Sequence, residues 1–488
     1  MSPSEFRQAA HQHADWIAEY FEHVREFPVL PDTTPGELAR QLPGKAPELG
    51  EPINAIFADF QSAVFPRLTR WNHPRFFAYY PSSATPPSVL ADFLASAMNA
   101  NAMLWKTSPA ATELEQVTLS WLRQWLALDD RFFGIIYDTA SVSTFHALSA
   151  AREWADPECR TKGMRPGLIL YITEHTHSSC EKAAIALGFG QENVRKIPVD
   201  DQFRMRPDLL EKTIEADLAA GKRPCCIVAS VGSTAVSAID PVPAIAAVAE
   251  RFGIWLHVDA AYAGAAAILP EMRHVLDGVE RAHSLVINPH KWLFVSVDCS
   301  VLYTRYPDVL RRASSLTAEY LRTSEDDRVV NYMDYGIQLG RRFRALKLWY
   351  VFRHYGREGI SKMLRSGLAL AKLVQSLVES SDEFELCAPV NFSLVCFRHR
   401  SDNAFNEQLL ASVNATGKAF LSHAVLNGKY VLRFAIGNFM TEESDVRETW
   451  DLIRAAARQL AADRYGRSEK NDSDESYGSE EPAVTMRD

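Results

Sequence analysis

The chain has 488 residues, of which 47% are apolar, 10% aromatic and 23% charged; it is too long for one hydrophobic core and too apolar to remain unfolded. Two or three packed units are expected, and a single small module is excluded. With 52 basic against 61 acidic side chains, the net charge of −9 gives no footprint for nucleic acid or an anionic membrane.

The first residues, Met1-Ser2-Pro3-Ser4-Glu5-Phe6, lack a charged region leading into an apolar stretch, and no later apolar run is long enough to span a bilayer. The 7 cysteines are scattered without the Cys-x-x-Cys spacing of zinc or redox sites. Reduced thiols in a cytoplasm are the expectation.

In chain order, Phe6, Ala10, His13, Ile17, Tyr20 and Val24 recur at steps of four and three, and Ile53, Ile56, Phe57, Phe60 and Val64 repeat the pattern after a proline-rich stretch. Each helix has one apolar stripe to bury. Residues 1–82 are therefore expected to be a helical segment packed on the next domain or on a second copy of the chain. From about residue 130 to 305 the texture changes to strands at 134–137, 168–172, 195–199, 226–231, 254–258 and 284–287. Helical stripes such as Cys180, Ala183, Ala184 and Leu187, then Ile245, Val248, Ala249 and Phe252, alternate with them. This predicts an α/β domain over 83–347 with a mainly parallel sheet covered on both faces, which binds ligands at its carboxyl strand ends. Beyond Gly340, Phe343, Leu346, Trp349 and Phe352 are interleaved with arginines, and runs at 392–398 and 430–436 read as strands. A smaller α+β domain is expected over 348–464, followed by a disordered acidic tail at 465–488.

The chemistry concentrates at two strand ends. The run Ile254 to Val258 ends in Asp259, and the strand at 284–287 leads into Asn288-Pro289-His290-Lys291-Trp292. A lysine in a desolvated pocket is a Schiff-base candidate, and a carboxylate facing a pyridinium nitrogen is the other half of a pyridoxal phosphate site. Taken singly, Asp259 reads more readily as a helix cap and Lys291 as a surface lysine; on neighbouring strand ends together they point to the site. Thr139-Ala140-Ser141 follows a strand and opens a helix, with the hydroxyls and N–H groups a phosphate needs, although ordinary capping uses the same residues. Gly188-Phe189-Gly190 lacks the third glycine of a dinucleotide fingerprint. His175 and His177 could suggest a metal, but no metal is expected: a ring stacked on a flat cofactor, or a capped helix start at Thr176, fits better. Asn288 and His290 suit either a phosphate or a buried turn.

These residues resemble those of the group II pyridoxal-phosphate decarboxylases, most closely the aromatic-L-amino-acid decarboxylases. The likeness runs from the first helix to about residue 460, through Asn72-His73-Pro74-Arg75-Phe76-Phe77-Ala78-Tyr79, Ser108-Pro109-Ala110-Ala111-Thr112-Glu113-Leu114-Glu115, Leu256 to Gly264, Asn288 to Trp292 and Leu339 to Arg344. It implies fold type I, bound pyridoxal 5'-phosphate, and a homodimer whose N-terminal helices lie on the partner and whose active sites draw on both subunits. Lys291 resembles the lysine that holds the cofactor covalently, Asp259 the partner of the ring nitrogen, His177 the histidine stacked on the ring, Thr234 a nearby hydroxyl and Ala261 the small residue beneath. Thr139, Ala140, Ser141 and Asn288 match the phosphate cradle, and His290 the histidine before the lysine.

Tyr320 matches the tyrosine of a mobile loop, linked in this family to protonating the substrate's Cα; phenylalanine there is associated with aldehyde synthases. The charged stretch 321–330 is expected to close over the site. Trp71, Tyr79, Tyr80, Pro81 and Ser82 are expected to line the substrate pocket. Two departures stand out: Val142 replaces the usual acidic residue after the cradle serine, and Asn101 and Met103 replace the Ile and Phe that wall the partner's pocket. Gly340 matches enzymes that accept indoles. The implied activity is decarboxylation of aromatic L-amino acids, of the tryptophan, 5-hydroxytryptophan, DOPA, tyrosine or phenylalanine type, to arylalkylamines and CO₂. The alternatives are decarboxylation coupled to oxidative deamination, and an inactive binding protein suggested by Val142 and the tail. Intact Lys291, Asp259, His177 and Tyr320 weigh against the latter.

Overall fold

The computed structural model describes residues 1–316 and 321–475, with side chains inside the last helix described as far as residue 464. A two-residue strand, β1 (Phe76–Phe77), precedes the strands of the large sheet. These are β2 (Phe133–Tyr137), β3 (Leu168–Ile172), β4 (Val194–Lys196), β5 (Arg223–Ser230), β6 (Trp255–Asp259), β7 (Ser284–Ile287) and β8 (Ser300–Thr304). Their order across the sheet is β2-β8-β7-β6-β5-β3-β4. From β7 to β4 every pairing is parallel, while β8 runs antiparallel to both β7 and β2.

The central strands are buried on both faces, which is why they read as unbroken apolar runs. Alternate residues nevertheless go to different cores: Ile169, Tyr171, Ile227, Leu256 and Val258 to one, and Leu168, Leu170, Ile172, Val228 and Trp255 to the other. The helices Ala140–Ala155 and Ser179–Ala186 supply apolar residues to the second core, and Val242–Phe252 to the first. The chain is thus the expected α/β fold with a mainly parallel sheet flanked by helices. Strand β8 was not among the expected strands: one partner, β7, closely precedes it, but the other, β2, lies far upstream in the chain.

The smaller sheet contains β1 together with β9 (Phe384–Leu386), β10 (Leu394–His399), β11 (Phe420–Leu426) and β12 (Lys429–Ala435), in the order β1-β11-β12-β10-β9. Strand β1 pairs in parallel with β11, Phe76 opposite Phe420, so the segment read as helical contributes an edge strand to the far end of the protein. Upstream, the helix Pro3–Glu22 opens with a capping box between Ser2 and Glu5, and Trp16 packs edge-on against Phe60 and Phe65. The helix Ala345–Glu379 runs straight through the expected 347/348 division and breaks only at Gly356 (φ 60°, ψ 179°). Leu348 and Phe352 enter the large core, whereas Ala371, Val374 and Val378 enter the small one. The last helix extends over Glu443–Glu475, so the segment expected to be disordered from residue 465 begins as helix; residues 476–488 lie outside the described residues.

Candidate active site

Strands β6 and β7 are parallel neighbours with Asp259 opposite Val286, which brings both their carboxyl ends to one rim. Asp259 closes β6; Asn288 and the short helix Pro289–Trp292, which carries Lys291, follow β7. The two strand ends are stitched together by the Ala260 N–H to the Val286 carbonyl (3.1 Å) and the Asn288 N–H to the Ala261 carbonyl (2.9 Å). Gly232, just past β5, has φ +85°, and a Cβ there would collide with the Ala263 methyl. Its absence lets the 232–238 turn close down over the end of β6.

Between these elements lies a cavity lined by Tyr80, Ala140, His177, Ser230, Gly232, Ser233, Thr234, Asp259, Ala261, Tyr262 and Lys291. Burial pushes the Lys291 ammonium below its ordinary pKa, with Asp259 pulling the other way. Asp259 accepts the Ala261 N–H through Oδ1 at 3.0 Å. The Ser179 backbone N–H (3.1 Å) points at His177 Nδ1, and the Ser179 hydroxyl lies 2.8 Å from the same nitrogen. That nitrogen is therefore an acceptor, and the proton of the neutral ring sits on Nε2. Burial also lowers the His177 pKa, opposed by Asp259 and reinforced by Lys291.

Below Lys291, Tyr80 stacks on Tyr262 (4.0 Å, 21°), and Tyr262 stacks on Trp292 (4.8 Å, 7°). The Lys291 Nζ lies 5.5 Å from the Tyr80 ring centre. The Tyr80 hydroxyl donates to the Ser233 carbonyl and meets the Ser237 hydroxyl, both at 2.8 Å. Arg433, on β12, donates to the carbonyls of Thr234 (2.8 Å) and Ala235 (3.1 Å). Residues missed in the sequence, namely Ser230, Gly232, Ser233, Tyr262 and Arg433, thus shape the same cavity. The only local signal for any of them was Tyr262, inside the Asp259 to Gly264 run.

The remaining expected residues sort into three places. Beside the cavity, Thr139 occupies the N-cap position of the helix Ala140–Ala155 without a side-chain cap bond, and the exposed Ser141 follows in its first turn. His290 accepts the Cys299 N–H through Nδ1 (2.9 Å), its Nε2 lies 3.3 Å from Asn288 Nδ2, and its carbonyl accepts the Ser82 hydroxyl. Asn288 Oδ1 is buried with no partner among the described residues. Further out, Trp71 and Tyr79 stack on one another with 43% and 52% of their surfaces exposed, and they do not line the cavity. Pro81 instead packs beside Gly437.

Asn101, Met103 and Gly340 form a separate group. The Asn101 Oδ1 accepts the Arg341 N–H (2.9 Å), Met103 receives the Asn101 amide, and a Cβ on Gly340 would stand 3.8 Å from Asn101 Nδ2. The stretch after residue 320 docks on the same group: Leu321 packs with Leu104 and Met333, and Lys106 pairs with Glu325. Tyr320 itself lies outside the described residues. Among the described residues no cluster of side chains is arranged to hold a metal, and His175 packs edge-on against Phe203.

Residues 35–400 match the model of the pyridoxal-dependent decarboxylase conserved domain. The chain belongs to that family. As a pyridoxal-dependent decarboxylase it is 39% identical to an aromatic-L-amino-acid decarboxylase of Catharanthus roseus, over 94% of this chain and 95% of that one. It is also 39% identical to a phenylacetaldehyde synthase of a Rosa hybrid cultivar, with the same coverage. A crystal structure of Oryza sativa TDC with PLP and tryptamine superposes with a TM-score of 0.92 at 38% identity, covering 94% of this chain and 99% of that one. The cofactor of this decarboxylase is pyridoxal phosphate, and the cavity suits it. An amine and a carboxylate line one cavity, and the small methyl of Ala261 in its wall leaves room for a flat ring. Lys291 would hold the aldehyde carbon, Asp259 the ring nitrogen, and the Ala140–Ser141 helix start the phosphate.

Proposed function

We propose that this decarboxylase acts on aromatic L-amino acids, with tryptophan-like substrates foremost, and releases CO₂ and an arylalkylamine. The reading is carried by the meeting of Lys291, Asp259 and His177 in one cavity at the strand ends. Its aromatic part is supported by relatives named for aromatic amino acids and tryptophan, and by likeness to a tryptophan decarboxylase solved with L-tryptophan (TM-score 0.89, 39% identity, covering 94% of this chain and 99% of that one). Gly340, which leaves space opposite Asn101, agrees with a bulky side chain.

Bound pyridoxal phosphate supplies an electron sink for the pair released as the Cα–carboxylate bond breaks. Burial keeps the Lys291 amine neutral more often than that of a surface lysine, so its lone pair is available to a carbonyl carbon. One Asp259 oxygen is committed to the Ala261 N–H, which aims the carboxylate and leaves the other oxygen to accept a ring N–H. His177, held by Ser179 in one tautomer, offers a neutral flat face and an Nε2 proton. Tyr320 hands its phenolic proton to the substrate's Cα as general acid. The relative named phenylacetaldehyde synthase makes oxidative deamination the second reading. Tyrosine rather than phenylalanine at 320 favours the amine. The test is incubation of the purified protein and pyridoxal phosphate with pooled L-amino acids. Arylalkylamines identified by mass spectrometry are expected, and amines only from non-aromatic substrates would overturn the reading.

The working unit in this proposal is a homodimer. Phe6, Ile17 and Phe21 on the first helix and Leu90 and Phe93 on the helix Pro86–Met98 line one apolar groove, and Leu90, Phe93 and Met98 are all exposed. A second copy covering that face accords with the Asn101, Met103 and Gly340 group, which does not line the cavity of its own chain. Light scattering should give twice the 54.7 kDa chain mass at micromolar concentration. A cytoplasmic setting accords with seven free cysteines and with the lack, among the described residues, of any helix long and apolar enough to cross a membrane.

A further inference from the structure

The helix start that would receive the cofactor's phosphate is already engaged by a carboxylate of this chain. Asp138 lies between β2 and the helix Ala140–Ala155. Its Oδ1 accepts both the backbone N–H of Thr139 and the Thr139 hydroxyl, the latter at 3.1 Å. Its Oδ2 accepts the Gln338 amide at 3.4 Å. Thr139 therefore makes no side-chain cap to its own helix, its hydroxyl donating to Asp138 instead. The first turn of that helix has no acidic residue, and Val142 stands in it. One negative charge thus sits beside the cradle, placed before the helix rather than within it.

We propose that Asp138 acts as an internal anion at the phosphate site and sets the affinity for the cofactor by opposing its phosphate. The physical reason has two parts. A carboxylate at a helix N-terminus compensates the same partial positive charge that attracts a phosphate, so the empty site is stabilised relative to the filled one. It also consumes two donors, the Thr139 N–H and O–H, leaving the Ala140 and Ser141 N–H groups and the Ser141 hydroxyl for the ligand. The proposal rests on pyridoxal phosphate binding at this helix start, and the experiment separates the two.

The variants are Asp138→Asn, which keeps an oxygen for Thr139 while removing the charge, and Asp138→Ser, which removes the charge and shortens the side chain. Cofactor is stripped, and binding of pyridoxal phosphate and of pyridoxal, its phosphate-free counterpart, is titrated by protein fluorescence and by absorbance of the lysine-bound form. Loss of one like charge from a half-buried site predicts a dissociation constant about tenfold lower for pyridoxal phosphate in both variants, with pyridoxal unchanged. The gain should shrink as salt is raised. An unchanged or weakened affinity for pyridoxal phosphate, or an equal shift for both ligands, overturns the role of Asp138. If the unaltered protein bound pyridoxal as tightly as pyridoxal phosphate, the location of the phosphate site would fail instead.

Discussion

Asp259→Asn isolates the electrostatic half of the site. The substitution is nearly isosteric, and the asparagine Oδ1 can still accept the Ala261 N–H now received at 3.0 Å, so the end of β6 and the Ala260 and Asn288 bridges to β7 should persist. In the proposed arrangement, what changes is the group that would face the ring nitrogen: a carboxylate oxygen, which stabilises a ring N–H, becomes an NH₂ donor, which favours the bare lone pair. An opposite charge at contact in a partly buried site shifts a pKa by about two units, and each unit is worth about 1.4 kcal/mol. Roughly 3 kcal/mol of stabilisation is therefore lost from the step in which the ring accepts electrons, which corresponds to about a hundredfold in kcat. Covalent attachment at Lys291 should survive. The assay is amine formation under cofactor saturation, alongside absorbance of the lysine-bound form. A variant with kcat within threefold of the parent, at equal cofactor loading, would refute the assignment of Asp259.

In the presence of dioxygen as the two-electron oxidant, Tyr320→Phe should shift product from amine toward aldehyde with hydrogen peroxide and ammonia; an unchanged ratio by mass spectrometry would remove Tyr320 from the protonation step. Arg341 is buried against Glu115 (2.7 Å) and also donates to the carbonyls of Ile136 (2.8 Å) and Ala102 (3.1 Å). Arg341→Met strands the Glu115 carboxylate and should cost about 3–5 kcal/mol in urea unfolding, part of it regained by adding Glu115→Gln. A loss near zero would contradict the buried pairing. Burial pushes His146, His257 and His290 down to about 4, so the folded state resists protonation that the unfolded chain accepts from its ordinary value near 6.5. These depressed values make stability fall as pH drops below 6.5 and on toward 4, by about 1 kcal/mol per histidine at pH 5.5. Asp240, raised to about 6 by burial, acts in the opposite direction but is one group, whereas His73 and His283, also pushed down to about 4 by burial, add to the other three. Urea midpoints equal at pH 7.5 and 5.5 would defeat this prediction.

Much of the site was legible locally because its groups sit on strand ends, where a buried apolar run followed by a polar residue is a short-range pattern. Asp259 after β6, Lys291 after β7, and the Thr139 to Ser141 helix start were all visible in that way. The fold class was legible for the same reason, since alternating strand and helix periods report on burial of one face or two. The strands themselves shifted by a few residues at their ends, where hydrogen bonding to neighbours rather than periodicity decides the limit.

Tertiary structure alone decided what depends on partners distant in sequence. Strand β8 is defined by the two neighbours it separates, and β1 by pairing with β11, more than three hundred residues further along the chain. Tyr80 was read as a pocket wall; its hydroxyl also holds the 233–237 turn from 153 residues away, and Arg433 grips the same turn from the other domain. Asn101 and Gly340 could be marked in the sequence, but only folding brought them together and away from the chain's own cavity. Periodicity and motif encode which face a residue turns inward; which other segment meets that face is set by the packing of the whole core, and no local window contains it.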